Sequence, residues 1–240
     1  MNHTRADRPV FQRCLIVGAG AGLSASLARL LHREHGLRVA LAARSIDKLA
    51  ALASETQAFV QACDASRPEQ VEALFTQVDA ALGGAPDVVV YNASGRVRGP
   101  FIDLDPAAVE AALAVTAFGG FLVAQAAARR MLPQRHGAIL FTGASASVKG
   151  FAQSAPFAMG KFALRGLSQS LARELQPQGI HVAHVVIDGG IRSAARPDPQ
   201  ATPDALIDPD ALAQAYADLL YQPRSAWACE IAIRPWVERF

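Results

Sequence analysis

Residues 14–33 read CLIVGAGAGLSASLARLLHR, and this stretch decides the fold because it joins three patterns in one run. Four apolar residues are typical of a buried strand, the glycine-rich segment predicts a tight turn, and the remainder has helical spacing. Gly18 permits a sharp turn, while Gly20 and Gly22 let the backbone approach a pyrophosphate, whose charge the helix N-terminus favours. The stretch predicts a dinucleotide-binding turn; a tight loop without a ligand is the alternative.

The same alternation of strand and helix continues along the chain. Apolar runs predict seven strands, at residues 14–17, 38–42, 58–63, 87–91, 138–142, 181–187 and 230–233. Apolar residues spaced three and four apart predict helices at residues 22–35, 46–54, 68–82, 106–132, 154–175 and 209–219. This alternation implies an α/β fold, with a doubly wound parallel sheet of about seven strands flanked by helices. We expect one domain over residues 11–240, after an N-terminal tail of residues 1–10.

Composition and charge exclude several classes of protein. Apolar residues make up 51% of the 240 residues and charged residues 18%, which excludes extended disorder. A formal charge of +2, with scattered basic residues, predicts no nucleic-acid partner. Cys14, Cys63 and Cys229 lack CxxC spacing, so we expect buried free thiols and no metal site. Without a hydrophobic leader or an apolar run of roughly 20 residues, we expect a cytoplasmic protein with no membrane partner.

Further motifs extend the resemblance begun by the glycine turn over almost the whole chain. The turn resembles the Gly-x-x-x-Gly-x-Gly of short-chain dehydrogenases/reductases, with Ser24 at the third glycine. Residues 64–65 (DA) resemble that family's aspartate near the adenine, residues 91–94 (YNAS) its Asn-Asn-Ala-Gly element, and residues 187–193 (IDGGIRS) its Pro-Gly segment. The resemblance implies a single-domain Rossmann fold with a cofactor site formed by Gly18, Gly20, Ala21, Gly22, Leu23, Arg44, Asp64, Ala65, Asn92, Ala93, Lys161 and Ile191.

The end of the second predicted strand bears on which nicotinamide cofactor binds. Members of the family that select NAD place an acidic side chain there, whereas this chain has Ala43 followed by Arg44. A guanidinium suits the 2′-phosphate of NADP(H), and Lys48 lies one helical turn later. NADP(H) is therefore favoured and NAD(H) is possible; a solvated surface arginine is the alternative for Arg44.

The family's working group is Asn-Ser-Tyr-Lys, and this chain resembles it at only one of the four positions. Lys161 carries over, but the tyrosine position, four residues upstream, is Phe157. The serine position is Ala144, with Ser145 adjacent, and the asparagine position is Thr116. In the family the tyrosine is the general acid/base, and loss of such a group typically lowers the rate by about 10²- to 10⁴-fold. The resemblance therefore predicts a divergent member without the catalytic tyrosine and serine.

An apolar pocket floor at Phe157 and Ala144 predicts a lowered pKa for Lys161, because burial disfavours the ammonium. One hypothesis is that Lys161 donates the proton, or that Ser145 or Ser147 orients a water molecule that does so. The alternative is that Lys161 only binds the ribose hydroxyls of the cofactor.

Several other polar residues have a functional and a structural interpretation. His181 and His184 fall on opposite faces of a predicted strand, which excludes a shared metal and predicts core packing. Tyr91 ends a strand, and we expect it in the pocket wall. Arg96 and Arg98 either meet an anionic substrate or lie in a solvated loop.

Two functions remain open at this level. One is an NADP(H)-dependent oxidoreductase acting on a small carbonyl or alcohol substrate. The other is a nucleotide-binding protein without turnover, acting as a cofactor sensor or oligomeric scaffold. The resemblance further implies a homodimer or homotetramer joined through the two long helices and the C-terminal strand.

Overall fold

A computed structural model describes residues 9–238; most of the predicted N-terminal tail, residues 1–8, lies outside the described residues, as do 239–240. Seven strands form one sheet: β1 Arg13–Val17, β2 Arg38–Ala43, β3 Phe59–Ala62, β4 Val88–Tyr91, β5 Gly137–Thr142, β6 Ile180–Ile187 and β7 Glu230–Ile233. Their order is β3-β2-β1-β4-β5-β6-β7, and every pairing is parallel. The predicted single-domain Rossmann fold is confirmed.

Helices cover both faces of the sheet: α1 Leu23–Arg33, α2 Ala50–Thr56, α3 Pro68–Ala81, α4 Pro106–Leu113, α5 Gly119–Met131, α6 Ala155–Leu175 and α7 Pro209–Leu220. Along β1, Cys14 and Ile16 pack into one buried cluster, whereas Leu15 and Val17 pack into the other. The first cluster includes side chains of α1, α2 and α7, and the second includes side chains of α3, α5 and α6. Burial on both faces explains why these strands are continuously apolar.

The direction of the chain reverses across the sheet between β1 and β4. From β1 it proceeds outward through β2 to β3, and from β4 it proceeds the other way to β7. In such sheets the carboxyl ends of the strands flank a crevice at this switch point, where ligands bind. The glycine turn follows β1, and the YNAS motif begins at the end of β4, so the fold brings both motifs to this crevice.

The predicted helix at residues 106–132 is continuous but not regular. Residues Ala114–Phe118, between α4 and α5, form a π-helical segment. There the Tyr91 hydroxyl donates a hydrogen bond to the Val115 carbonyl. A Cβ at Gly119 would lie 2.5 Å from that hydroxyl oxygen, so the helix passes β4 closely only because this residue is glycine. Apolar spacing alone carried no signal for this irregularity.

The same helix bears on the expectation that no apolar run is long enough to span a membrane. Over Pro106–Gln134 it is long and apolar enough to cross a bilayer by length and composition, since an 18-residue window within it has mean hydropathy 1.9. Here it lies on the sheet, where Val123, Ala124 and Ala127 are buried in the core. Core helices of soluble proteins pass the same test of length and composition, so this is weak evidence for a membrane span.

Two of the three cysteines match their predicted burial. Cys14 and Cys63 are buried, and burial raises the pKa of the Cys63 thiol to about 11. The expectation was wrong for Cys229, which is exposed because it lies just before β7 begins.

Candidate functional site

The turn after β1 is held by backbone contacts that only glycine permits. Gly18 has φ of +87°, and a Cβ there would lie 2.6 Å from the Cα of Ala93. The Asn92 amide donates a hydrogen bond of 2.8 Å to the Ser24 hydroxyl, which lies in the first turn of α1. The glycine turn and the YNAS motif are therefore in direct contact and hydrogen-bonded to each other. Sequence reasoning recognised Ser24 only as a small residue and missed this hydrogen bond.

The start of α1 is open to a ligand. Its N-cap residue, Gly22, offers no side-chain hydrogen bond to the first N–H groups of the helix. A Cβ added at Gly20 or Gly22 would meet nothing within 4 Å. Unpaired N–H groups at a helix N-terminus with open space beside them suit an anionic group such as a pyrophosphate. Of the neighbouring predicted residues, Ala21 is exposed, whereas the Leu23 side chain is buried in the core.

One cavity, of about 540 Å³, lies between the ends of β1, β2, β3 and β4. Six of the predicted cofactor residues line it: Gly18, Arg44, Asp64, Ala65, Asn92 and Ala93. Ser45 and Lys48 lie beside Arg44 in the wall, and none of these three side chains makes a hydrogen bond or ion pair within residues 9–238. This end of the cavity therefore carries two cationic side chains, Arg44 and Lys48, and the Arg44 guanidinium can donate two hydrogen bonds to one anionic group.

Asp64 is held as a carboxylate in the same wall. Its Oδ1 accepts hydrogen bonds from the Ser66 N–H at 3.0 Å and the Ser66 hydroxyl at 2.7 Å. These hydrogen bonds, and then the charge of nearby Arg44, lower the pKa of Asp64. The carboxylate is therefore available at neutral pH as an acceptor for hydroxyl or amino donors of a ligand.

A second cavity of about 540 Å³ adjoins the first, and Asn92 and Ser94 line both. The four predicted active-site residues that line it are Ala144, Ser145, Phe157 and Lys161. Lys161 is 3% exposed, and its Nζ donates a hydrogen bond of 2.6 Å to the Thr142 carbonyl. Burial, and then the charge of Arg96, lower the pKa of Lys161 to about 8. The direction agrees with the effect predicted from an apolar pocket floor.

The remaining hydroxyl groups differ in their access to this cavity. Ser145 lines it, and its hydroxyl makes no hydrogen bond in the described part of the chain. Ser147 is fully buried, and its hydroxyl accepts a hydrogen bond from the Ala144 N–H. Of the two serines considered as water-orienting groups, only Ser145 faces a ligand.

Thr116, at the predicted asparagine position, lines neither cavity. It is 1% exposed within the π-helical segment, and its Oγ1 accepts a hydrogen bond of 2.9 Å from the Gly95 N–H. A Cβ at Gly160 of α6 would lie 3.0 Å from the Cβ of Thr116. Thr116 therefore joins the loop after β4 to the π-helical segment and lies directly against α6.

Ile191 presents backbone groups to the second cavity. It forms a parallel bridge with Ile207, in which the Gly190 carbonyl and the Arg192 N–H make the hydrogen bonds. The N–H and carbonyl of Ile191 itself make no hydrogen bond in the described chain. Because these groups alternate in direction along an extended strand, they point away from Ile207 and suit a carboxamide ligand.

Other polar residues of the sequence have structural partners. His184 Nδ1 lies 2.9 Å from Glu230 Oε2, and His181 Nε2 lies 3.0 Å from the Ala228 carbonyl. Burial lowers the pKa of both histidines, so they are neutral at pH 7. The expectation that Tyr91 lies in the pocket wall was wrong: it is fully buried in the core beneath α5 and lines neither cavity, and burial raises its pKa far above its usual range.

Two features of the second cavity were not anticipated from the sequence. Arg96 Cζ lies 4.5 Å from the centroid of the Phe157 ring, and Arg196 enters the lining from the segment after β6. The segment carrying Arg196 has no periodic pattern, so nothing in the sequence predicted its approach to Arg96.

Comparisons with known proteins agree with this architecture. A family model described as short chain dehydrogenase matches residues 12–201. The crystal structure of a short-chain dehydrogenase from Rhodopseudomonas palustris is 33% identical and covers 94% of this chain and 99% of that chain, with a TM-score of 0.81. A metagenomic short-chain oxidoreductase in complex with NADP is 30% identical over 94% of this chain and 98% of that chain, with a TM-score of 0.80. An uncharacterized oxidoreductase of Staphylococcus aureus (strain N315) is 29% identical over 92% of this chain and 96% of its own length.

Proposed function

The chain belongs to the short-chain dehydrogenase family of oxidoreductases, and we propose that it is an NADP(H)-dependent member acting on a small carbonyl or alcohol substrate. The observation that carries this proposal is the adjacency of the two cavities. The first has room and donors for the nucleotide end of a dinucleotide, and the second contains Lys161 and the open backbone of Ile191. A ligand that spans both through Asn92 and Ser94 would present its reactive end in the second cavity.

The residues present fit a dinucleotide at each contact it would make. The open N-terminus of α1 would take the pyrophosphate, Asp64 the adenine end, and Lys161 the ribose next to the nicotinamide. The free N–H and carbonyl of Ile191 would take the carboxamide. When bound, a nicotinamide supplies or accepts the hydride, and the protein orients it and handles the proton.

The preference for NADP(H) over NAD(H) rests on Arg44 and Lys48. Neither side chain makes a hydrogen bond or an ion pair within residues 9–238, although the charge of Arg44 acts on Asp64 in the same wall. Ala43 stands at the position where an acidic side chain would favour an unphosphorylated ribose. The relative solved in complex with NADP, at 30% identity, supports the same choice.

Proton handling is the part of the proposed reaction that departs from the family pattern. Phe157 and Ala144 bring no hydroxyl to the cavity, and of the groups that the sequence suggests for proton handling, Lys161 and Ser145 line it. With a pKa of about 8, Lys161 is close to the range in which a general acid works at neutral pH. In the reductive direction Lys161 would release a proton toward the substrate oxygen, directly or through a water held by Ser145.

The same two substitutions favour a second candidate function, a protein that binds the nucleotide without turnover. Under that alternative Lys161 binds ribose hydroxyls, and the protein serves as a cofactor sensor or oligomeric scaffold. Both candidates require nucleotide binding, and only the first requires hydride transfer.

A titration with NADPH and NADH, followed by a screen of carbonyl compounds, separates these possibilities. We expect wild type to prefer NADPH, and Arg44→Ala to lose about tenfold or more in NADPH affinity, since one charge-assisted contact contributes about 1.5–3 kcal/mol. NADH affinity should change little in Arg44→Ala. Binding of neither nucleotide would contradict both candidates.

Turnover is then compared between wild type and Ala144→Ser/Phe157→Tyr. Activity in wild type that is lost in Lys161→Met, at saturating NADPH, supports proton donation by Lys161. Unchanged turnover in Lys161→Met with weaker cofactor binding would exclude it. Binding without turnover in wild type, with activity restored in the double variant, would favour the sensor or scaffold.

We also propose that the chain forms a homodimer or homotetramer through α4, α5 and α6. Four large apolar side chains on these elements and the π-helical segment are 41–52% exposed: Phe118, Phe121, Met159 and Phe162. Phe118 and Met159 also line an apolar groove of about 720 Å³. Exposed apolar area of this kind is typical of an interaction surface.

A further inference from the structure

Arg96 lines the second cavity and lies beside Phe157, the side chain at the position of the family tyrosine. Its Cζ lies 4.5 Å from the Phe157 ring centroid, and Lys161 Nζ lies 5.9 Å from the same centroid. Phe157 is only 9% exposed, so the ring is a fixed platform. Stacking on an aromatic face orients the guanidinium plane and leaves its N–H groups free to donate. The guanidinium therefore brings five N–H donors to the face of the ring that replaces the family tyrosine.

The loop that carries Arg96 is anchored at both ends. At its start the Gly95 N–H donates to Thr116 Oγ1, and a Cβ at Gly95 would lie 2.5 Å from the Cα of Ala112. At its end the Gly99 N–H donates to the Gln153 carbonyl at 3.2 Å. These contacts fix the backbone at both ends of the loop, while the Arg96 and Arg98 side chains are exposed.

Two more arginines line the same cavity, and all three lack a partner. Arg98 comes from the same loop and Arg196 from the segment after β6. The Arg196 guanidinium lies against the backbone of Gly190, where a Cβ would be 2.5 Å from its Cζ. Within residues 9–238 none of the three side chains makes a hydrogen bond or an ion pair with a carboxylate.

The segment that carries Arg196 is itself held in place by charge. Arg192 forms ion pairs with Asp198 at 3.0 Å and with Asp208. Asp198 Oδ1 also accepts a hydrogen bond from the Leu206 N–H. The position of Arg196 near the cavity therefore follows from a connected loop rather than from an isolated side chain.

The charges of the cavity do not cancel. Four cationic side chains line it against two carboxylates: Arg96, Arg98, Lys161 and Arg196 against Asp188 and Glu238. Asp188 is buried and already faces Lys149 at 3.9 Å and Arg234 at 3.6 Å. Burial, and then the charges of Arg98 and Arg196, lower the pKa of Arg96, so these cations repel one another. A bound anion would relieve that repulsion.

We propose that the substrate is a carbonyl or alcohol compound bearing a carboxylate or phosphate group, and that Arg96, stacked on Phe157, binds this group together with Arg98 and Arg196. This inference rests on the proposed function, since it names the substrate class of the same site. It makes Arg96 a residue that determines specificity. Because Arg96 lies beside Phe157 and Lys161, the anionic group lies close to the reacting carbon.

The test is calorimetric titration with malonate, a small dianion, and with malonamide, its neutral counterpart. Free and NADPH-saturated protein are both titrated, in wild type, Arg96→Met, Arg96→Lys and Arg38→Met. Arg38 provides the matched control, because it is exposed at the start of β2, away from the site, and its loss changes the net charge equally. We expect malonate to bind wild type and Arg38→Met alike, and Arg96→Met about tenfold to a hundredfold more weakly. Arg96→Lys should be intermediate, because it restores the charge without the bidentate donors.

Malonate affinity that is equal in wild type and Arg96→Met would overturn the inference, and so would malonamide binding as well as malonate. A loss of NADPH affinity in Arg96→Met without an effect on malonate would also overturn it, by assigning Arg96 to the nucleotide. The titrations distinguish a failure of this inference from a failure of the proposed function. If NADPH does not bind but malonate binds through Arg96, the nucleotide proposal fails and the anion site stands.

Discussion

At the scale of single residues, Lys161 combines burial, a carbonyl partner and a nearby arginine. Because burial disfavours the ammonium, the pKa of Lys161 in the folded protein is about 8 rather than 10.5. The unfolded chain therefore holds more protons between these two values, and stability contributed by this group rises with pH across that window. Below about pH 8 the lysine is charged in both states, and its burial costs stability.

The same pKa predicts how cofactor affinity depends on pH. If the charged Lys161 holds the ribose, NADPH affinity should fall about fivefold between pH 7 and pH 9, because a charge-assisted hydrogen bond becomes a neutral one. Titration calorimetry at several pH values measures this change. The matched control is Lys161→Met, whose weaker affinity should stay constant across this range. A wild-type profile as flat as that of Lys161→Met would remove Lys161 from the nucleotide site.

The glycine turn offers a second prediction at this scale. Gly20→Ala meets no protein atom within 4 Å, so the thermal midpoint should be unchanged while NADPH affinity falls about tenfold, or about 1.4 kcal/mol. Gly18→Ala adds a Cβ at φ +87° against the Ala93 backbone and should lower the free energy of unfolding by about 1–3 kcal/mol. Calorimetric scans and titrations of both variants test the pair. Normal NADPH affinity in Gly20→Ala would place the pyrophosphate elsewhere.

At the scale of secondary-structure elements, the π-helical segment contacts both β4 and the loop that follows it. Its Val115 carbonyl accepts a hydrogen bond from the Tyr91 hydroxyl. Its Thr116 Oγ1 accepts a hydrogen bond from the Gly95 N–H, in the loop that carries Arg96. At the residue that follows the π-helical segment, Gly119, a Cβ would lie 2.5 Å from the hydroxyl oxygen of Tyr91, the last residue of β4. The segment therefore connects the sheet, α6 and the anion-binding loop.

Gly119→Ala tests this arrangement. In an exposed helix the change stabilises by up to about 1 kcal/mol, but here the Cβ would lie 2.5 Å from the Tyr91 hydroxyl oxygen and 2.8 Å from the Ala65 carbonyl oxygen. We expect a net loss of about 1–3 kcal/mol in the free energy of unfolding, measured with urea. The loss should shrink when the change is made in Tyr91→Phe, which removes the hydroxyl. A stabilised Gly119→Ala protein would contradict the close approach.

Elements of the fold were predictable because local chemistry specifies them. Buried strands such as 38–42 are almost continuously apolar, and Pro68, Pro106 and Pro209 begin α3, α4 and α7 as expected. The π-helical segment was not predictable, since it depends on the fit between Gly119 and Tyr91 across different elements. For the same reason the stacking of Arg96 on Phe157 and the approach of Arg196 required the tertiary structure.

At the scale of the whole molecule, the exposed apolar side chains of the π-helical segment, α5 and α6 predict self-association. Light scattering after size exclusion should give the mass of a dimer or tetramer for wild type. Phe118→Ser/Met159→Ser should lower the measured mass, because the two substitutions remove large apolar side chains from the same exposed surface. Val10→Ser, which changes an exposed apolar residue elsewhere, is the control. A monomeric wild type, or an unchanged mass in the double variant, would contradict the proposal.

The whole molecule has the family's sheet and turn, while the residues around the reaction centre have changed. Lys161 and Ile191 line the second cavity, whose lining also includes Phe157, Ala144 and Arg96. We therefore propose that hydride transfer proceeds here without a tyrosine hydroxyl, in a cavity selective for anions.

The most direct test is deuteride transfer from NADPH that carries deuterium at both C4 positions, so that transfer from either face delivers deuterium. Wild type saturated with this cofactor is incubated with carbonyl acids such as pyruvate and with their methyl esters, and the products are analysed by mass spectrometry. We expect deuterium in the alcohol product of a carbonyl acid and little in the alcohol product of its ester. If NADPH binds, wild type transfers no deuterium, and Ala144→Ser/Phe157→Tyr does transfer it, the claim of turnover is contradicted.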